Sequence, residues 1–543
     1  MQRRNLVGLL VLTVFVVLIA ACGNGDGQAA GALYDPDNPS VHVPRPGEGI
    51  TLPLVDEPVI FTIWAPDPGL SAVGVNLGHE THFFRELERR TGVGLRFSHP
   101  PVGGEMENLN LLIASGDYPH ILNIANPGAF PGGLGAAIRD GMIIEISGLA
   151  RTYAPYYWEV INADDEVRRQ TTTDEGYVPG FFSVNQHIQP PWMGLVSRQD
   201  WLDELGLDTP ETFDDWHTAL SLFRSEMGAT APLLLQSNGF HIFDNFNAGF
   251  GVWNGFYQIN GRVGYGILSD ALYDYLVMMN RWYNDGLIDP DFGSRPFFFV
   301  PPNDLTATGV AGLWQDIYIL LPVNNMIAAS MGNMDFRSVA VPYPARERGG
   351  TVYLSRAEVR AEALWVITNN HPDPVTFTRL MNYKFSPEGA LFSMYGIEGE
   401  TFIFGEDGEP QFTARMYDNP NGWSLSEAMR YYTRWPAGGM LYDWRRELPP
   451  GTDQDVLDSM EIWTRNVDFS RAMPPITLTP EEGTEFARIM TDVETHVEEL
   501  VARFILGHEP FANFDGFINT LRNMGIEQAI EIQQAALDRF FAR

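Results

Sequence analysis

Three observations predict an α/β fold. Between residues 58 and 124, apolar β-branched runs alternate with amphipathic stretches in the order strand, helix, strand, helix, strand, as in a parallel sheet. A second α/β-like stretch, "MGLVSRQDWLDELGLDTPETFDDWHTALSLF", occupies 193 to 223, and from Thr479-Pro480 to the end the spacing is helical.

The elements follow in order. "PVIFTIWAP", 58 to 66, is β-branched and aromatic and ends at proline, as a buried first strand should. "HETHFFRELERRTGVGLRF" places Phe83, Phe84 and Leu87 on one helical face and stops at Gly92 before a second strand. "EMENLNLLIASGDYPHILNI" predicts a helix over Met106 to Ala114, a Gly116-Asp117 turn and a strand over His120 to Ile124. Ligands of open sheets bind beyond the carboxyl ends of strands, here Trp64 to Asp67 and Ala125 to Pro127. Further on, Asp208 or Thr209 before Pro210 marks a helix start, and 270 to 292 reads as a helix stopped by Gly286 and Pro290. "TATGVAGLWQDIYILLPV" predicts a strand then a helix, and "DFRSVAVPYPA" a short strand closed by prolines. "EALWVITNNHPDPVTFTRLMNYKFSPEGALFSMYGIEGE" joins a strand to a helix ending at Ser386-Pro387.

The amino terminus has the three-part layout of a secretory signal: Arg3 and Arg4, an apolar run from Leu6 to Ile19, then Ala20, Ala21 and Cys22. The run is short for a membrane span, which needs about 20 apolar residues, and a Gly, Asn and Asp tract follows it. Ile19, Ala20, Ala21 and Cys22 resemble the bacterial lipobox, which implies a diacylglycerol on the Cys22 thiol and an anchor on the outer face of the cell membrane. Residues 1–21 are then a signal peptide, and 22–56, rich in Gly, Pro, Asp and Asn, a flexible tether. Cys22 is the only cysteine, which excludes a disulfide framework and a multi-cysteine metal site. A net charge of −34 argues against nucleic acid as a partner. Nearly all the positive charge is arginine, Lys384 being the only lysine; genome composition or adaptation to salt or heat accounts for that bias more simply than anion recognition does.

Several phrases resemble those of the extracellular solute-binding proteins of ABC importers, in the maltodextrin-binding superfamily. They are "IASGDYPHILNI", "VSRQDWLDELGLDTPETFDDW", "VAVPYP" and "KFSPEGALFSMYGIEGE". The tail "FINTLRNMGIEQAIEIQQAALDRF" is similar to the ending of the large LplA-like or LipO-like lipoprotein branch. The resemblance covers most of the chain from about residue 57. It implies a two-lobed periplasmic-binding-protein-like fold of type II, each lobe a mixed sheet flanked by helices, joined by a hinge. Lobe 1 is expected at 57–181 and 307–365, and lobe 2 at 182–306 and 366–543. It further implies a monomer that closes on a solute and presents it to separate permease subunits. No Gly-rich loop ending in Gly-Lys-Ser or Gly-Lys-Thr is present, so the chain is not itself the ATPase. Some relatives carry an EF-hand-like calcium loop. At 162 to 176, "NADDEVRRQTTTDEG" lacks the alternating acidic ligands and the glycine, so neither metal nor cofactor is expected.

Sugar recognition needs aromatic faces together with amides, carboxylates and guanidinium groups around a cleft. Strand ends and polar aromatic loops nominate Trp64, Asp67 and Asn126; Trp314, Gln315 and Asp316; Asn245, Phe246 and Trp253 in "DNFNAGFGVWNGFYQ"; Tyr395 and Glu398; and Trp435. Trp201, Trp216 and Trp282 sit in helical patterns and are assigned to the core. No catalytic residue is nominated. "HETHF" has its histidines three apart instead of four and reads as a capped helix start, and "EISGL" has Glu145 where a nucleophile elbow needs glycine. The expectation is a lipid-anchored oligosaccharide-binding protein, with a peptide-binding lipoprotein and a secreted carbohydrate-active enzyme as alternatives. The acidic surface argues against polyuronides unless local arginines overrule it.

Overall fold

The computed structural model describes residues 49–124, 130, 132–295, 300–355, 359–406, 408–434, 438–448 and 452–543. The signal peptide, Cys22, most of the tether, Asn126 and Trp435 lie outside the described residues.

The strands that position the site are β1 (Val59–Trp64), β2 (Val93–Ser98), β3 (Ile121–Ile124), β4 (Phe181–Asn185), β5 (Met193–Arg198), β6 (Ala231–Leu233), β7 (Ala311–Ile317), β8 (Ser338–Ala340), β9 (Ala361–Ile367) and β10 (Leu441–Tyr442). They form two sheets, one ordered β10-β4-β9-β3-β1-β2 and the other β8-β5-β7-β6. In the first, β1 runs parallel to β2 and β3, while β9 enters antiparallel between β3 and β4, so the sheet is mixed. β9 can sit there because Leu364, Trp365, Val366 and Ile367 are all buried, as a strand covered on both faces requires.

Each sheet has its own core. Phe61, Ile121, Phe181, Trp365 and Phe377 belong to the first, and Leu195, Trp216, Leu233, Trp282 and Leu313 to the second. A third, smaller cluster gathers Tyr395, Phe402, Phe412 and Met429. Among the described residues no helix is long and apolar enough to cross a membrane.

The first five elements form where the sequence places them, with helices at His82–Thr91 and Glu105–Ser115. "HETHF" is a helix start: the Thr81 hydroxyl accepts the Phe84 N–H at 3.4 Å, satisfying a donor that the first turn leaves free. The helix expected from Pro210 begins later, at Phe213. Thr212 and Asp215 form a reciprocal capping box there, satisfying two backbone donors where proline could only tolerate a missing one. Within 162 to 176, Asp164 caps a helix over Asp165–Thr171.

The expected lobe boundaries need correction. β7 pairs with β5, Met193 opposite Ile317, and with β6, so the chain from 307 to 354 remains with the second sheet. It re-enters the first at β9. The segment after 366 then stays with the first lobe: Phe377 of helix Pro374–Phe385 packs edge-on against Phe61, and β10 pairs with β4. The chain therefore passes from one sheet to the other between β4 and β5, between β8 and β9, and again after β10. The long helix Pro480–Leu506 buries Ile489, Val493, Val497 and Val501 in the second core. The last helix, Ile526–Ala542, packs Ile526 and Ala529 in the second core, and only its carboxyl-terminal end reaches the first lobe, where Arg539 and Arg543 both pair with Asp174.

Candidate ligand cleft

The first-lobe wall is built from strand ends. Beyond β1, Ala65, Pro66 and Asp67 line a cavity of about 270 Å³, joined by Asn123 of β3 and Glu362 of β9. Glu362 reaches it because β9 is bulged: pairing with β4 shifts between Glu362 and Leu364, and Ala363 takes φ 26°. The helix Leu425–Tyr432 and the residues after it add Arg430, Thr433 and Arg434.

This wall is cationic at depth. Arg434 is buried, its guanidinium 5.3 Å from the Trp365 ring and 5.6 Å from Phe84. Burial, with the Arg446 charge beside it, pushes its pKa down to about 9. On the Trp365 ring at 4.1 Å lies the ammonium of Lys384, fully buried and likewise pushed down by burial and by Arg434.

The second wall and the crossing segments enclose a cavity of about 280 Å³, where Trp192, Phe243 and Phe469 face Asn185, Arg360 and Glu362. Trp192 and Phe243 meet edge to face with centroids 5.8 Å apart. Phe243 holds φ 56°, an uncommon conformation for a bulky residue, and its neighbours enforce it. Gln315 of β7 accepts the Ile242 N–H at 3.0 Å and donates to the Ile242 carbonyl at 2.8 Å. On the other side the buried Asp244 carboxylate accepts from Asn247 Nδ2 at 2.7 Å and from the Asn254 N–H at 2.9 Å. Glu362 lines both cavities, so the two walls meet at its carboxylate.

Of the nominated residues, Asp67 lines the first-lobe cavity, its Oδ1 accepting the Gly69 and Leu70 N–H groups at 2.9 and 3.0 Å. Gln315 lies one layer behind Phe243, on the Ile242 backbone, and Asn245 is buried. The remaining described nominees are placed elsewhere. Trp64 is buried with its Nε1 on Asn108 Oδ1 at 2.7 Å, and Phe246 packs against Phe213 and Trp282. Trp314 is fully buried in β7, and the Asp316 carboxylate accepts from Trp314 Nε1 and Asn324 Nδ2. Trp253 is buried and donates to the Tyr353 carbonyl at 2.6 Å. Tyr395 lines a separate cavity with Glu409 and Arg445, and Glu398 is exposed on the turn beside Phe402. These aromatic side chains turn inward because each fills its lobe's core, a gain in buried area that outweighs exposure at a strand end.

The cleft residues not anticipated are Trp192, Phe243, Arg360, Glu362, Phe469, Arg430 and Arg434. Trp192 stands at the amino end of β5, which faces the cleft because β5 is antiparallel to β7. Phe243 lies three residues before Phe246, and Arg434 directly precedes Trp435.

No protein-family model matches the chain. Among curated proteins, the fructooligosaccharide ABC transporter substrate-binding protein FusA of Streptococcus pneumoniae serotype 4 is 24% identical over 563 residues, 98% of each chain. Lipoprotein LipO of Bacillus subtilis is 25% identical over 242 residues, 43% of this chain and 46% of its own length. Among solved structures, an HMO-binding, ABC-transporter-associated solute-binding protein from Bifidobacterium longum infantis superposes with a TM-score of 0.69 at 15% identity, covering 90% of this chain and 99% of the other.

Proposed function

We infer that this chain, a relative of the substrate-binding proteins of ABC transporters, captures an oligosaccharide between its two lobes and delivers it to a membrane permease. The observation that carries this reading is the make-up of the cleft, with aromatic faces on one wall and amide, carboxylate and guanidinium groups on the other, meeting at Glu362. A pyranose ring offers both an apolar face and a rim of hydroxyls, and that pairing suits it. The full-length match to a fructooligosaccharide-binding protein supports the same class of ligand.

Function here is closure. A solute touching Phe243 and Trp192 from one lobe and Asp67 and Arg430 from the other binds the closed form better than the open one, and only that difference shifts the equilibrium. The crossing segments absorb the rotation. The chain acts as a binder and not as an enzyme: the relative it matches over 98% of its length is a substrate-binding protein, and Asp67 is occupied by two backbone N–H groups. A lipid on Cys22 would hold it, as a monomer, on the extracytoplasmic face of the membrane, within reach of a permease.

Calorimetry against neutral oligosaccharides, uronides and peptides, with X-ray scattering on the tightest ligand, tests this reading. Saturable heat with a glycan and a smaller radius of gyration on binding are expected. Heat with peptides alone, or glycan cleavage by the protein, would overturn it.

A further inference from the structure

Three N–H donors in and behind the first-lobe cavity have no acceptor among the described residues: Arg430 Nε, Arg434 Nε and Trp365 Nε1. Arg430, Arg434 and Lys384 also take part in no ion pair there; the Lys384 ammonium has a carbonyl, that of Gly438, at 3.5 Å, and the Trp365 ring. The two carboxylates that share the cavity, Asp67 and Glu362, form no ion pair with these side chains among the described residues. Asp67 spends Oδ1 on backbone N–H groups, and Glu362 accepts from Asn185 Nδ2 at 3.4 Å. Glycine at 438 keeps this group uncrowded, since a Cβ there would come within 2.6 Å of Trp365 Nε1 and 2.8 Å of Arg434 Nη2.

Burying a guanidinium, as at Arg434, without an ion-pair partner is costly, and a neutral hydroxyl repays little of that cost. A carboxylate repays it through charge-assisted, often bidentate hydrogen bonds to guanidinium. We propose that the first-lobe cavity binds the carboxylate of an acidic glycan, a uronic-acid oligosaccharide, with Arg430 and Arg434 as its direct partners and the Trp365 ring, backed by Lys384, packed behind Arg434. This rests on the carbohydrate reading above and narrows it. The chain's net charge of −34 does not oppose it, because the charges that meet the ligand are the local ones.

The test measures binding by calorimetry for trimers of galacturonate, glucuronate, mannuronate and guluronate, each against its carboxyl-reduced neutral partner of the same linkage. The expected result is that at least one acidic trimer binds about 30-fold or more tightly than its neutral partner. Arg430→Gln and Arg434→Met, checked by thermal melting, should each shrink that ratio at least about tenfold. Equal or tighter binding of the neutral partner in every pair, or an unchanged ratio in a folded variant, overturns the acidic-ligand proposal. In that outcome saturable neutral binding leaves the carbohydrate reading standing. Heat from peptides and from no glycan overturns both.

Discussion

The two walls of the cleft differ in how their side chains are held. On the second lobe the contact surface is aromatic, and Phe243 is set by a clasp: Gln315 reaches across 73 residues to fix both backbone groups of Ile242, while Asp244 ties down the following turn. On the first lobe the surface is charged, and Arg434 is held by packing on rings with little hydrogen bonding. A wall fixed by hydrogen bonds presents a shape; one with unsatisfied donors presents a demand for a partner. Shape and charge are thus divided between the lobes, and a ligand must engage both to hold the cleft shut.

Substitutions break this comparison in graded ways. The largest effect falls outside the cleft: Trp314→Ala, in the second core, should cost about 3–5 kcal/mol of stability in denaturant unfolding, because it leaves a cavity under β7. Within the cleft, Trp192→Ala and Phe243→Ala should each weaken glycan binding by about 2 kcal/mol in calorimetry, with a smaller loss of stability than Trp314→Ala. Gln315→Ala removes the clasp without touching the ligand. It should cost about 1 kcal/mol of stability, and its loss of affinity should vanish when Phe243 is already alanine, the mark of a positioning role. The smallest effect belongs to charge outside the cleft. Hydrogen bonds from Arg89, with Arg90 adding to them, hold the Glu86 carboxyl down at about 2 against an ordinary 4.5. A lowered carboxyl stabilises the fold above its unfolded pKa, and that gain fades as pH falls from 4.5 towards 2. Arg89 is largely exposed, so Glu86→Gln should cost at most about 1 kcal/mol at neutral pH and nothing measurable near pH 2.

The elements from β1 to β3 were legible in the sequence because each is decided locally, by a period of 2 or 3.6 and a glycine or proline stop. The start of helix Phe213–Ser225 was read three residues early because proline is a visible signal and a capping box a quieter one. The allocation of 307 to 354 failed for a different reason. "VAGLWQDI" is an apolar strand in either sheet, and only its pairing with β5 and β6 says which. The loop containing Asn245, Phe246 and Trp253 is polar and aromatic in the sequence, yet the ring that lines the cavity is Phe243, just upstream of it.

By itself, the sequence determined where strands begin and end and which loops follow them, since those depend on neighbours a few residues apart. Tertiary structure alone decided which aromatic rings turn outward and where the cations gather. Phe243 is turned by Gln315 from a distant strand, and Arg430, Arg434 and Lys384 meet Asn123 and Trp365 only once β9 has inserted between β3 and β4.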